Sequence, residues 1–467
     1  MTAVDLVVRG ERVLLDGQLR PATVLVGEGR IVGIMPGRDA EAPSSAARVI
    51  DAGADVVAPG FIDVHVHFDN PAIDLAEDFH FGTANASLGG CTFVIEHPFS
   101  NPLTTTAARY EAKRKRAAER AFVDFGLWGA LTAPSLNELG GQRALGALGF
   151  KAFLPDNSMN FPPATDDDLR KGLAFVAREG GFVLVHAEDR DALRTTISRE
   201  RQAGRTGYGA VLASRAPEIE VQAVRHVLEI AEETGGAVHL VHLSVPESVD
   251  LVDAARARGV QASCEAMTHH LLLDSDALPE LGWRALCAPP LRSRAAVEGL
   301  WQRLRDGLID VIASDHCPYR VVDKVRADIN ALDGPFGIQS VREFAPLFLD
   351  EALRRGWTLP EALALVTSRP ADLCGVAPRK GRIAVGADAD FAILQTGGNY
   401  QVDAQQQFGP DKWSPYDGRP LGVRIDTTIL RGKTLVSGGK IVVAGGDGRF
   451  LSLAPAAPVV SFEGVGD

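Results

Sequence analysis

Between residues 59 and 377 the chain repeats one pattern: a short apolar run, then a segment whose apolar positions recur at helical spacing. The apolar runs are "FIDVHVHF", "CTFVIEHP", "AFVDFGLWGAL", "GFKAFL", "GFVLVHAE", "AVHLVHLS", "VQASCEA" and "IDVIASDH". Amphipathic segments between them include "TAARYEAKRKRAAERA" (106–121), "DDLRKGLAFVAREG" (167–180) and "IEVQAVRHVLEIAEETGG" (219–236). Strands that alternate with helices are parallel and need cover on both faces, which makes the class α/β. Eight such units predict a closed (β/α)8 TIM barrel with insertions, whereas a doubly wound sheet usually has fewer.

The two ends read differently. Residues 1–58 are short strands with Gly and Asp at turns ("DLVVRG", "ERVLLDG", "TVLVGEG", "RIVGIMPG"), and "GRIAVGADADFAILQ" and "TTILRGKTLVSGGKIVVAG" repeat that style near the other end. One small β-sandwich assembled from residues 1–58 and 378–448 is the expectation, beside a hydrolase barrel of 59–377. Residues 449–467 form a Pro- and Ala-rich arm expected to pack on this or a neighbouring subunit. A net charge of −12 without a basic block argues against nucleic acid or an anionic membrane as partner. Nowhere do 18 apolar residues run together, and the start has no signal-peptide core. The 5 cysteines are scattered and never spaced CxxC, the usage of reduced thiols in a cytoplasmic protein.

In a barrel enzyme the chemistry sits where strands give way to loops, on the C-terminal face. His65 and His67 close the first run, and the period of two in a strand puts both on one face. Lys151 stands near the end of the fourth run, His186 at the fifth, His242 at the sixth and Asp315 at the eighth. One histidine of this kind is usually a satisfied core residue; six residues at one end of the strand order make a metal centre the better reading. Imidazole and carboxylate oxygen are ligands that zinc, iron, cobalt and manganese accept. By strand parity His239, an odd number from His242, is expected on the outer, helix-facing side. His80, His97 and His226 have no partners at ligand spacing and read as structural, while His269, His270 and His316 read as donors that orient ligands. Lys151 sits in an apolar run, so its ammonium should be desolvated and its pKa depressed. A neutral amine can react with carbon dioxide to give a carbamate, an anionic ligand with two oxygens.

These residues resemble the amidohydrolase superfamily, in its cyclic branch of hydantoinases (dihydropyrimidinases), allantoinases and dihydroorotases. The likeness runs through "APGFIDVHVHF", "GTANASLGGCTFVIE", "GFKAFL", "VLVHAED", "HLVHLS", "CAPPLR", "IASDHCPY" and "KWSPYDGRPLGVRIDTTILRGKTLVSGGKIV". It implies two divalent metals, commonly zinc, bridged by a carboxylated lysine. Carried over, one metal takes His65, His67, Asp315 and the Lys151 carbamate; the other takes His186, His242 and the same carbamate. It further implies a bridging hydroxide that attacks the ring carbonyl, with Asp315 as general base and then acid. Backbone groups of Cys287–Ala288 and Asp333–Gly334 would hold a second ring carbonyl and N–H. A homo-oligomer, dimer or tetramer, is implied as well.

Departures from the family pattern narrow the ring. Dihydroorotases usually carry an arginine two residues after the HxH pair, where this chain has Asp69, which would repel a carboxylate substrate. Hydantoinases usually place a tyrosine where Asp156 stands. "CAPPLR" is closer to allantoinases, although "FDNPAID" lacks the glycine and arginine many of them have. The expected substrate is a small cyclic ureide or imide without a carboxylate clamp; a dihydroorotase is the alternative. A non-catalytic scaffold would have lost ligand positions, and a mononuclear deaminase would not need the lysine.

Overall fold

The structure is a computed structural model that describes residues 3–38, 48–68, 78–100, 102–147, 149–157 and 161–452. Asp69 and residues 453–467 of the arm lie outside the described residues. All eight expected barrel strands form: Phe61–Val66, Cys91–Glu96, Asp124–Leu127, Phe150–Phe153, Val183–His186, Val238–Leu240, Ala262–Met267 and Val311–Ala313. Neighbours pair in parallel around the ring. The third strand is interrupted at Trp128, and its continuation Gly129–Ala130 pairs with Phe150–Phe153. A parallel bridge between Val66 and His316 closes the circle, where the His67 N–H donates to the His316 carbonyl at 2.7 Å.

Local chemistry sets the covering helices. Thr165 and Asp168 form a capping box for helix Asp166–Glu179, whose first turn carries Asp166, Asp167 and Asp168 against the positive end of the dipole. Helix Pro217–Thr234 has proline at the tolerated first position and stops at Gly235, whose φ of 69° disfavours side chains. The apolar faces of these helices, with Leu169, Leu173, Val224 and Val227, join one core with barrel residues Phe150, Val183 and Leu240.

The chain ends meet in a nine-stranded sheet. Phe391–Gln401 runs antiparallel to Val56–Pro59, pairing Phe391 with Pro59 and Ile393 with Val57, which joins the C-terminal half of the sheet to the N-terminal half. Val8, Val24, Val57, Phe391 and Ile429 pack its own core. Lys380, 1% exposed, anchors this unit to the barrel: its ammonium lies 2.7 Å from Asp124 of the third barrel strand, 3.0 Å from Asp388 and 2.5 Å from Asp390. Where the arm begins, Phe450 forms a bridge with Phe125, and the Phe125 N–H donates to the Arg449 carbonyl at 3.0 Å. No helix of the described residues is long and apolar enough to cross a membrane.

Candidate active site

A cavity of about 530 Å³ opens at the C-terminal ends of the barrel strands, lined among others by His65, His67, Lys151, His186, His242 and Asp315. All six residues singled out in the sequence therefore converge on it. His65 and His67 leave the first strand with their Nε2 atoms 3.2 Å apart. One oxygen of Asp315 lies 3.1 Å from His65 Nε2 and 3.3 Å from His67 Nε2. The His186 and His242 rings meet edge to face, with centroids 4.5 Å apart. Strands six and eight end at Leu240 and Ala313, two residues short of their site residues. His242 and Asp315 take φ values of 40° and 47°, left-handed backbone that costs a residue with a Cβ about 1–3 kcal/mol. Such strain is characteristic of functional sites, and here it turns both side chains into the cavity.

Asp63, buried in the first strand, accepts the Ser314 N–H at 3.1 Å and the His65 N–H at 3.2 Å. It thereby fixes His65 against the turn that carries Asp315. His65 donates through Nδ1 to Glu265 Oε1 at 2.5 Å, and His186 Nε2 lies 2.8 Å from Glu188 Oε2. Glu188 also pairs with Arg215. Burial lowers the proton affinity of His65, but the Glu265 and Asp315 carboxylates outweigh it and push the ring up to about 9. His67, with burial dominant, falls to about 3. Burial would raise Asp315 and Glu265; facing histidines hold the first well below the carboxylate range and the second at about 2.

Lys151 is fully buried, and its Nζ has no hydrogen-bond partner among the described residues. It rests 4.7 Å from the centroid of the Phe153 ring. Burial brings its pKa down to about 7, partly opposed by Glu265 and Asp315. An orphaned buried amine within a ring of four histidines and a carboxylate fits the donor set of a site for divalent ions.

Two expectations are overturned. His97 is not a bystander: its ring stands 4.0 Å from that of His65 and 4.8 Å from that of His67, centroid to centroid. The three offer nitrogens close enough together to hold an ion, and neither His97 nitrogen has a hydrogen-bond partner among the described residues. It follows the second strand directly, a position with no HxH spacing to reveal it. His239 does not face the helices either. Its Nδ1 is 2.8 Å from Ser263 Oγ and its Nε2 3.5 Å from Glu265, on the side that serves His65. Parity counted back from His242 fails because the strand ends at Leu240 and the left-handed turn resets side-chain direction.

The remaining residues divide. Ala288, Asp156 and Asp333 line the cavity, whereas Cys287 packs into an apolar cluster with Leu291 and Ile338, and Gly334 follows Asp333 at φ 73°. Asp156 makes a two-pronged ion pair with Arg194 (2.6 and 3.0 Å), and Arg201 meets Asp333 at 2.5 Å. His316 accepts the Ser340 and Val341 N–H groups, and His270 lies 3.1 Å from the Pro289 carbonyl, so both hold loops in place. His269 is buried with neither ring nitrogen hydrogen-bonded among the described residues. His80 packs against Phe122, and His226 is a surface partner of Asp166. Glu265 and Glu188, which orient His65 and His186, were missed in the sequence; Glu188 lies only two residues after His186 in "VHAED".

Known proteins match both sequence and shape. The profile of the Amidohydrolase family covers residues 56–435. The chain belongs to the amidohydrolase family. An allantoinase from Streptomyces avermitilis is 35% identical over 457 residues, covering 97% of this chain and 100% of its own. One from Rubrobacter xylanophilus is 37% identical over 454 residues, covering 97% and 98%. Among solved structures, the L-hydantoinase (dihydropyrimidinase) from Arthrobacter aurescens superposes with a TM-score of 0.92 at 30% identity, covering 96% of this chain and 100% of its own. A D-hydantoinase structure gives 0.91 at 28% identity, covering 97% and 99%. This amidohydrolase falls in the cyclic branch, as a hydrolase of ring carbon–nitrogen bonds.

Proposed function

We propose that the chain hydrolyses the ring amide of a cyclic ureide of the allantoin or hydantoin type, with two divalent ions, zinc as the expected metal, and a carbamate on Lys151. The observation that carries this is Lys151 itself. Its amine is buried, without a hydrogen-bond partner among the described residues, near enough to neutral to react with carbon dioxide, and set among His65, His67, His186, His242 and Asp315. One ion would be held by His65, His67 and Asp315, the other by His186 and His242, with the carbamate shared. When bound, such ions supply Lewis acidity and lower the pKa of water from 15.7 to about 7.

Asp315 takes the proton of the attacking water and returns it to the ring nitrogen as the C–N bond breaks, acting as base and then acid. Its oxygen beside His65 and His67, at 3.1 and 3.3 Å, supports that role. Backbone groups of Cys287–Ala288 and Asp333–Gly334 would hold the second ring carbonyl and N–H, and Asp156 would stand near the ring substituent. The allantoinase names of the relatives and the polar cavity rim around Asp156, Arg194 and Asp333 favour a ureide with a polar substituent.

A panel of allantoin, hydantoin, dihydrouracil, dihydroorotate and a cyclic imide tests the reading on metal-replete protein. Highest kcat/KM on allantoin or hydantoin is expected. Fastest turnover of dihydroorotate overturns the ring assignment, and less than one bound divalent ion per chain after supplementation with metal and bicarbonate overturns the metal centre.

A further inference from the structure

Lys324 is another fully buried lysine, outside the set of candidate metal ligands, and its surroundings differ from those of Lys151. It ends the short helix Val321–Lys324 and donates to three backbone carbonyls: Leu286 at 3.0 Å, Pro335 at 3.0 Å and Gly337 at 2.7 Å. The Leu286 carbonyl also accepts the Gly337 N–H at 2.9 Å, so two separate chain segments are tied at one point. Gly337 also lies hard against the neighbouring 317 segment, where a Cβ would come 2.6 Å from the Cys317 carbonyl oxygen. The rings of Tyr319 and Trp413 face the ammonium at 5.7 and 5.6 Å. Burial pulls its pKa down to about 7, yet three acceptors call for three N–H donors, which only the charged form has.

Ala288, Phe336 and Gly337 line the cavity. We propose that Lys324 is the positioning residue of the substrate cradle, locking the 286–288 and 335–337 segments in register. This rests on the cyclic ureide reading above. Lys324 touches neither the ring nor the candidate metal ligands; it acts through the backbone.

Two variants, Lys324→Met and Lys324→Gln, are compared with wild type as metal-replete protein. Metal content, melting temperature and steady-state kinetics on the ureide panel are measured. Both variants should keep their metal and fold while kcat/KM drops about a hundredfold, the scale of a misplaced substrate. The loss should show in KM, and in kcat where the ring sits off its reacting position. Folded, metal-replete variants with KM and kcat within about threefold of wild type overturn the proposal. Loss of metal or of folding in both variants also overturns it and makes Lys324 a fold-holding residue. A wild-type protein that cleaves no ring in the panel refutes the functional reading first, and the role of Lys324 with it.

Discussion

Replacing Glu265 with glutamine keeps the shape of the side chain and removes its charge. That carboxylate accepts from His65 Nδ1 at 2.5 Å, a separation of 200 positions in sequence, and lies 3.5 Å from His239 Nε2. It also accepts the His242 N–H at 3.3 Å, so one buried group orients two candidate ligands. A hydrogen bond to a charged partner is worth about 1.5–3 kcal/mol. At about 1.4 kcal/mol per tenfold, that corresponds to about 10–100-fold in metal affinity, the range seen when a carboxylate behind a ligating histidine is lost. Glu265→Gln should therefore bind its divalent ions about 10–100-fold more weakly in chelator competition. Activity should recover when metal is added in excess. In the metal-free protein this carboxylate holds His65 protonated, so its melting temperature should fall as well. Metal affinity within about threefold of wild type would refute the idea that Glu265 sets the basicity and aim of His65.

Other expectations follow from the same geometry. Lys151→Ala should lose more than about a hundredfold in activity, as expected when a group acting as part of a unit is removed, and should lose a carbamate signal in carbon-13 NMR; full activity would support a mononuclear site instead. Metal-free protein should remetallate faster with bicarbonate at pH 8 than at pH 6, because the neutral amine of Lys151 gains population as pH rises through about 7; a rate independent of pH and bicarbonate would exclude the carbamate. Lys380→Met leaves buried Asp390 without a cation among the described residues, while Asp124 keeps Arg431 and Asp388 keeps Arg379, and should destabilise by about 3–5 kcal/mol in urea titration. Asp156→Asn breaks an exposed ion pair with Arg194 worth about 0–1 kcal/mol, so stability should hold while the ratio of allantoin to hydantoin turnover shifts.

Residue pattern alone determined much of this molecule. Alternation between period-two and helical spacing marked all eight barrel strands, and the turn-rich ends marked strands that share one sheet, because burial of a strand or helix face is a local property of the chain. The strand-end positions of His65, His67, Lys151, His186, His242 and Asp315 were legible for the same reason. Tertiary structure decided the rest. His97 joins the site because its ring packs against His65 across two neighbouring strands, not through any spacing of its own. His239 turns toward Glu265 because left-handed backbone at His242 ends the strand's parity, and no side-chain pattern encodes a φ angle. Glu265 works through His65, 200 positions away, and Lys324 ties the Leu286 carbonyl, 38 positions before it, to the loop that follows it. Contacts of that kind exist only once barrel closure has brought the ends of distant strands within a few ångströms.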